Sequence, residues 1–294
     1  MRRRRKVESL FVGWTVFLFC SAAFCVESLP LRSSRIVEKW QFLPFIEQRF
    51  PPLIADPLEE QTAVFFHDGR KAQGNVGNHL LIIDHTWRDR LRGTSTAWSV
   101  GFEGTIFNLM HIPPKGGFAL DSTDSKFGFF VHYLIHELQT RFSILHISSH
   151  VADGLFDVEH PKRNYSREYF KLDIAHPFVL PFGIFRPYVG AIFNYHVAVP
   201  SELEGDTPFA FQWGSEYHTP QLGNLGGFAA IDANIKQEHR FRRVNLRILA
   251  GSELFGDKRF PVRLAAVYDY GFNWRGIFYD IPINQFGFGL ILSY

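Results

Sequence analysis

The final eleven residues, Asn284 to Tyr294, alternate without interruption to the end of the chain. Successive side chains of a strand point to opposite faces, so Phe286, Phe288, Leu290, Leu292 and Tyr294 share one face. Gln285, Gly287, Gly289, Ile291 and Ser293 share the other. One face is wholly apolar or aromatic. From residue 29 onward there is no run of about eighteen apolar residues, so the chain offers no helix able to span a bilayer. If such a chain enters a membrane it does so as a closed barrel, the only sheet that leaves no backbone edge in lipid.

The opposite end has the layout of a cleaved secretory signal peptide over residues 1–28. A basic start (Arg2 to Lys6) leads into an apolar run from Leu10 to about Val26 that contains Ser21, Ala22 and Ala23. Cys20 and Cys25 both lie in this stretch. The exported chain of about 265 residues is therefore expected to carry no thiol, which excludes disulfides, cysteine zinc sites and a cysteine nucleophile. The net charge of +2 comes from scattered residues with no aromatic-interleaved basic stripe, which argues against a nucleic-acid partner. Thirty-two phenylalanines against two methionines call for either a large core or a lipid-facing surface with aromatic girdles.

Proline is dense between Leu43 and Pro57, so residues 29–60 read as an irregular pre-barrel segment. Period-two patterning begins at Thr62 and gives candidate strands near 62–68, 78–87, 94–110, 125–137, 139–150, 164–177, 184–197, 207–217, 226–238, 242–254, 259–273 and 284–294. Charged residues hold one face of them and apolar residues the other. Asn245 and Arg247 oppose Val244, Leu246 and Ile248, and Arg263 and Asp269 oppose Leu264, Ala266, Tyr268 and Tyr270. Shorter links alternate with longer ones, among them 69–77, 111–124, 151–163 and 274–283, as in outer-membrane proteins. The fold class expected is all-β, a single antiparallel transmembrane β-barrel of about twelve strands over residues 61–294. Its terminal aromatic strand, with Phe288, Leu292 and Tyr294, resembles the signal read by the barrel-assembly machinery. That machinery and outer-membrane lipids are the expected partners, the bacterial outer membrane the expected location. Oligomeric state is not set by the sequence.

Four stretches together resemble the bacterial domain of unknown function family 1207: FPPLIADP from Phe50, LHISSH from Leu145 followed by Asp153, DANIKQEHR from Asp232, and the last residues from Tyr268. The resemblance covers about residues 40–294 and implies a single outer-membrane barrel in the cell envelope, with no assigned activity. The chain departs from the family pattern after His150, where Val151-Ala152-Asp153-Gly154 stands in place of a Gly-Asp-Glu run.

Three functions are compatible with these residues: a structural or binding role, a lipid esterase, and a small-solute channel. For the esterase, His146, Ser148 and His150 share one face of strand 139–150 with Phe142 and Ile144. A histidine beside a serine acts as general base when a carboxylate orients its ring, and Glu159 or Asp153 in the following loop is the candidate acid. The His-x-Ser arrangement is similar to that of outer-membrane lipid A 3-O-deacylases, although a polar cluster at the barrel rim is the plainer reading. His132 and His136 share an inward face but lack a third ligand, so no metal is expected. No cofactor motif is present, so no cofactor is expected either. The inward charges Arg141, Lys171, Asp173, Arg186, Asp232, Lys236, Arg247, Arg263 and Asp269 mix both signs and are expected to pair across a narrow interior. Together with Tyr188 and the segment from Leu29 to Pro57 they are expected to fill the lumen and leave little conductance.

Overall fold

The computed structural model describes residues 36–44, 48–89, 94–152, 165–198, 209–236, 244–254, 261–279 and 281–292. Among them the regular elements are strands, apart from single 3-10 turns, and no helix is long and apolar enough to cross a membrane. The strands are β1 (Ile36–Phe42), β2 (Thr62–His67), β3 (Lys71–Asp89), β4 (Thr94–His111), β5 (Ala119–Ile135), β6 (Leu138–Val151) and β7 (Tyr165–Ala175). They continue with β8 (Phe178–Leu180), β9 (Gly183–Ala198), β10 (Phe209–His218), β11 (Leu225–Lys236), β12 (Val244–Leu254), β13 (Val262–Phe272) and β14 (Pro282–Leu292).

Twelve of these strands form a closed antiparallel barrel, β2 to β7 followed by β9 to β14, each paired with its sequence neighbour. It closes where Gly287 to Leu292 of β14 pairs with His67 to Thr62 of β2. Two short strands lie outside this ring. β8 pairs only with the start of β9. β1 runs antiparallel to the far half of β3, Ile36 opposite Asp89 and Phe42 opposite Ile83. The pre-barrel segment is thus not irregular throughout, because Ile36–Phe42 contains no proline and is free to enter a ladder.

The β2–β3 link also departs from the sequence reading. The stretch Lys71 to Gly77, rich in Gly and Asn, is strand rather than loop. Its inward residues have lumen partners: Gln73 accepts from Arg247 at 3.4 Å and Asn75 from Arg275 at 3.5 Å. Gly77 is required by close approach, since a Cβ there would collide with the Thr105 side chain.

The wall has the inside-out character of a barrel in lipid. Phe129, Phe286, Phe288, Val189 and Leu264 are exposed, while the alternating partners His132, Arg141, Asp173, Arg247 and Asp269 are buried. Buried apolar side chains form smaller clusters inside. One joins Ile54 and Ala55 to Phe65, Leu249, Val267 and Ile291, and another joins Ile277, Phe278 and Tyr279 to Leu145, Ile147, Tyr165 and Tyr169.

Candidate functional site

The lumen is occupied by the chain itself. The segment from Arg49 to Gln61, immediately before β2, enters the barrel and buries Phe50, Leu53, Ile54, Ala55, Asp56, Glu59 and Glu60. Its prolines lack the donors a strand would need, and the segment turns on itself, the Asp56 and Glu59 amides donating to the Leu53 and Asp56 carbonyls at 3.0 and 3.2 Å, while other polar groups bond to the wall. Arg186 donates to the Pro51 carbonyl at 2.9 Å, and the Ile54 amide donates to Glu216 at 2.6 Å. Lys171 donates to Asp56 at 2.9 Å. Arg141 donates to both oxygens of Glu59, at 2.5 and 2.9 Å, and also to Asp173 at 2.8 Å. Lys126 pairs with Glu60 and the Leu58 carbonyl. Phe50 lies between two guanidinium groups, 4.6 Å from Arg141 and 4.8 Å from Arg186.

A second segment fills another part of the lumen. Between β13 and β14, Trp274 to Tyr279 are buried, with Arg275 only 1% exposed. Asp124 accepts from the Gly276 amide at 3.2 Å, and Ser149 from the Ile277 amide at 3.2 Å. Arg247 lies over Trp274 at 4.3 Å and over Phe65 at 5.0 Å. Segment 274–283, read from sequence as an outer loop, is in part an inward plug.

Burial pushes the Asp56 carboxyl up, but the ammonium groups of Lys171 and Lys126 outweigh it and hold the acid below the usual carboxylate range. Glu60 behaves in the opposite way. Burial, and then the neighbouring Glu103 carboxylate, push it up to about 7 against the pull of Lys126 and His79.

On the outer face, His146 and Ser148 stand where alternation puts them, on β6 at the end away from Thr62 and Leu292. The His146 ring packs 5.0 Å from Phe127, and its Nδ1 donates at 2.8 Å to Glu168 of β7, its register neighbour. Glu168 also accepts from His196 of β9. The acid beside His146 is therefore Glu168, a residue that spacing within one strand could not nominate. Strand register is the signal that would find it. Glu159, Asp153 and Tyr294 lie outside the described residues.

Among the described residues the rest of a hydrolytic triad is not assembled. Among the described residues Ser148 makes no side-chain hydrogen bond, and it stands between Ser125 and Ser166 in ladders on both sides. The backbone amides there are committed to strand pairing, which leaves none aimed at an oxyanion. His132 and His136 do not meet either. His132 is fully buried in the lumen, whereas His136 is exposed at the β5–β6 turn with φ of 53°.

No curated protein matches the chain. Among solved structures it is similar to the β-domain of the Bordetella autotransporter BrkA, at 14% identity over 80% of this chain and 96% of that one, with a TM-score of 0.43. The transport unit of the Escherichia coli autotransporter AIDA-I matches at 9% identity over 96% of this chain and 97% of that one, TM-score 0.41. OmpT, an outer membrane protein of Vibrio cholerae, matches at 8% identity over 90% and 99%, TM-score 0.37. The family model described as protein of unknown function, DUF1207, matches residues 33–294, nearly the whole chain, and the protein belongs to that family.

Proposed function

We propose that this protein is an integral outer-membrane barrel that stays closed, with a structural or binding role in the envelope rather than solute passage. The observation that carries this reading is the segment Arg49 to Gln61, held inside the lumen by Lys126, Arg141, Lys171 and Arg186 from four successive wall strands. A diffusion channel needs a continuous wet path, and here charged wall residues are spent on a piece of the chain. The exposed phenylalanine-rich outer face supports residence in lipid, and the signal-peptide layout of residues 1–28 supports export.

The test is conductance of the purified full-length protein in planar bilayers. No steady current is expected at neutral pH. Long-lived open-channel currents would overturn the closed-barrel reading. A second reading, an esterase at the outer rim, is favoured by one contact, His146 with Glu168. The committed backbone amides, and the lack of a side-chain partner for Ser148 among the described residues, weigh against it.

A further inference from the structure

We infer that the seated plug and the barrel wall together form a buried site for a divalent first-row transition ion, zinc in the first instance, with His79 Nε2, Glu60, Glu103 and Glu59 as its ligands.

The geometry is the first ground. His79 of β3 and Glu103 of β4 are register neighbours and both face the lumen. From the plug, Glu59 and Glu60 reach the same point. Carboxylate oxygens of Glu103, Glu60 and Glu59 stand 3.0, 3.4 and 3.9 Å from His79 Nε2. The donor atoms of Glu59, Glu60 and His79 all lie within 4.8 Å of one another. Ligand bonds of about 2.0–2.2 Å at a tetrahedral ion put neighbouring donors roughly 3.3–3.5 Å apart, and the three carboxylate distances to His79 bracket that value. The imidazole is the donor that favours zinc and its neighbours over calcium or magnesium, whose sites are built from oxygen ligands.

Charge is the second ground. Contacts link Asp56, Glu59, Glu60, Glu103 and Asp173 to Lys126, Arg141 and Lys171 in one buried network. Among the described residues five carboxylates thus meet three permanent cations in a region shielded from water, so two carboxylates there need a proton or a further cation. Buried charge without a counter-charge is costly, and one divalent ion at the His79 junction balances it.

Unspent ligand capacity is the third. Glu103 is 1% exposed and its Oε1 has no hydrogen-bond partner among the described residues, although its Oε2 points at His79. His132 is wholly buried, both its ring nitrogens lack a partner among the described residues, and its ring centroid lies 6.3 Å from that of His79. Such groups are rare inside proteins unless something else satisfies them. With the ion on Nε2, the neutral His79 ring carries its single proton on Nδ1. Lys126 keeps Glu60 Oε1 and Arg141 keeps Glu59, as neighbours that orient the ligating carboxylates.

The experiment uses the full-length folded protein in detergent, stripped with a chelator and then titrated with zinc chloride against a chromogenic zinc indicator. Bound metal is counted by elemental mass spectrometry, and folding of each variant is checked by heat-dependent gel mobility. One tight equivalent per chain is expected. Glu103→Gln and His79→Gln should each weaken it by about 10–100-fold or more while the gel shift is kept, and His136→Asn, at an exposed turn, should leave it unchanged. Failure to bind zinc, or tight binding that survives Glu103→Gln in a folded barrel, would overturn the inference, since the excess charge would then be met by protons or the ion would sit on surface histidines. Either result leaves the closed-barrel reading intact if the bilayer current is still absent.

Discussion

Lys171→Met isolates the charge that holds the plug. The substitution keeps most of the aliphatic stem packed on the wall and removes the ammonium that bonds Asp56 at 2.9 Å. Asp173 retains Arg141 at 2.8 Å, so Asp56 is the group left without its cation. Removing one partner of a buried pair costs about 3–5 kcal/mol. Asp56 has two ways to escape that cost, by leaving with the plug or by taking up a proton. Protonating an aspartate of ordinary pKa near 3.9 at pH 7 costs roughly 4 kcal/mol, and at pH 5 roughly 1.5 kcal/mol, and this caps the penalty. The ratio of seated to unseated plug should therefore fall by up to about a thousandfold at pH 7 and only about tenfold at pH 5. In the parent chain Lys171 and Lys126 hold Asp56 below the ordinary range despite its burial. A depressed carboxyl contributes fully above its unfolded value and loses that contribution only as pH falls through the folded value, so Asp56 gives the parent plug no response between pH 7 and 5, while Glu60, raised to about 7, takes up a proton over that window in parent and variant alike and cancels in the comparison at each pH. A chain expressed from residue 29 carries no cysteine, so Ala55→Cys on the buried plug gives one reporter thiol. Its labelling by a maleimide, compared at each pH between chains with and without Lys171→Met, reads the open fraction. Equal rates at pH 7, or a difference that does not shrink at pH 5, would refute the reasoning.

Two further outcomes bear on the outer face and on assembly. Ser148→Ala should leave lipid A unchanged by mass spectrometry when compared with cells making the parent protein, and an acyl chain removed only in the presence of Ser148 would install the esterase reading. Tyr294→Asp should lower the amount of heat-modifiable barrel in the outer membrane, because a charge replaces the terminal aromatic, and undiminished levels would remove that strand as an assembly signal.

The wall was legible because each strand repeats one rule. The buried Arg247 and Asp269 and the exposed Leu264 beside buried Ala265 follow from period-two alternation, and any single strand would have been enough to fix its own faces. Lys71 to Gly77 escaped because its glycines and asparagines serve close packing and lumen hydrogen bonds, which composition alone cannot separate from loop chemistry. The plug was only partly legible. Prolines between Leu43 and Pro57 excluded a central strand, but nothing local assigns Asp56 to Lys171, a partner 115 residues away, or Glu59 to Arg141, 82 residues away. The His79 junction was missed for the same reason, since two of its members lie on the plug and two on the wall. Glu168 lies 22 residues from His146 and meets it through register alone.

The plug also bears on how the barrel closes. β2 is six residues long and is the strand that completes the ring, pairing with β14 on one side and with the first residues of β3 on the other. Such a short strand supplies few ladder bonds to each neighbour, whereas β3 and β4 pair over nearly their whole length. Only Gln61 separates Glu60, bound by Lys126, from Thr62 at the start of β2. The plug anchors therefore fix the entry of the closing strand, and loss of an anchor should propagate into the seam before it reaches the opposite wall. In Lys171→Met at pH 7, amide hydrogen exchange should rise in 49–61 and also in β2 and the Gly287–Leu292 part of β14, while β11 and β12 keep their parent protection. Exchange that rises in the plug alone would show a seam that holds by its own ladders. A uniform rise across all strands would mean that the variant loosens the whole barrel, and the link from plug to closure would be withdrawn.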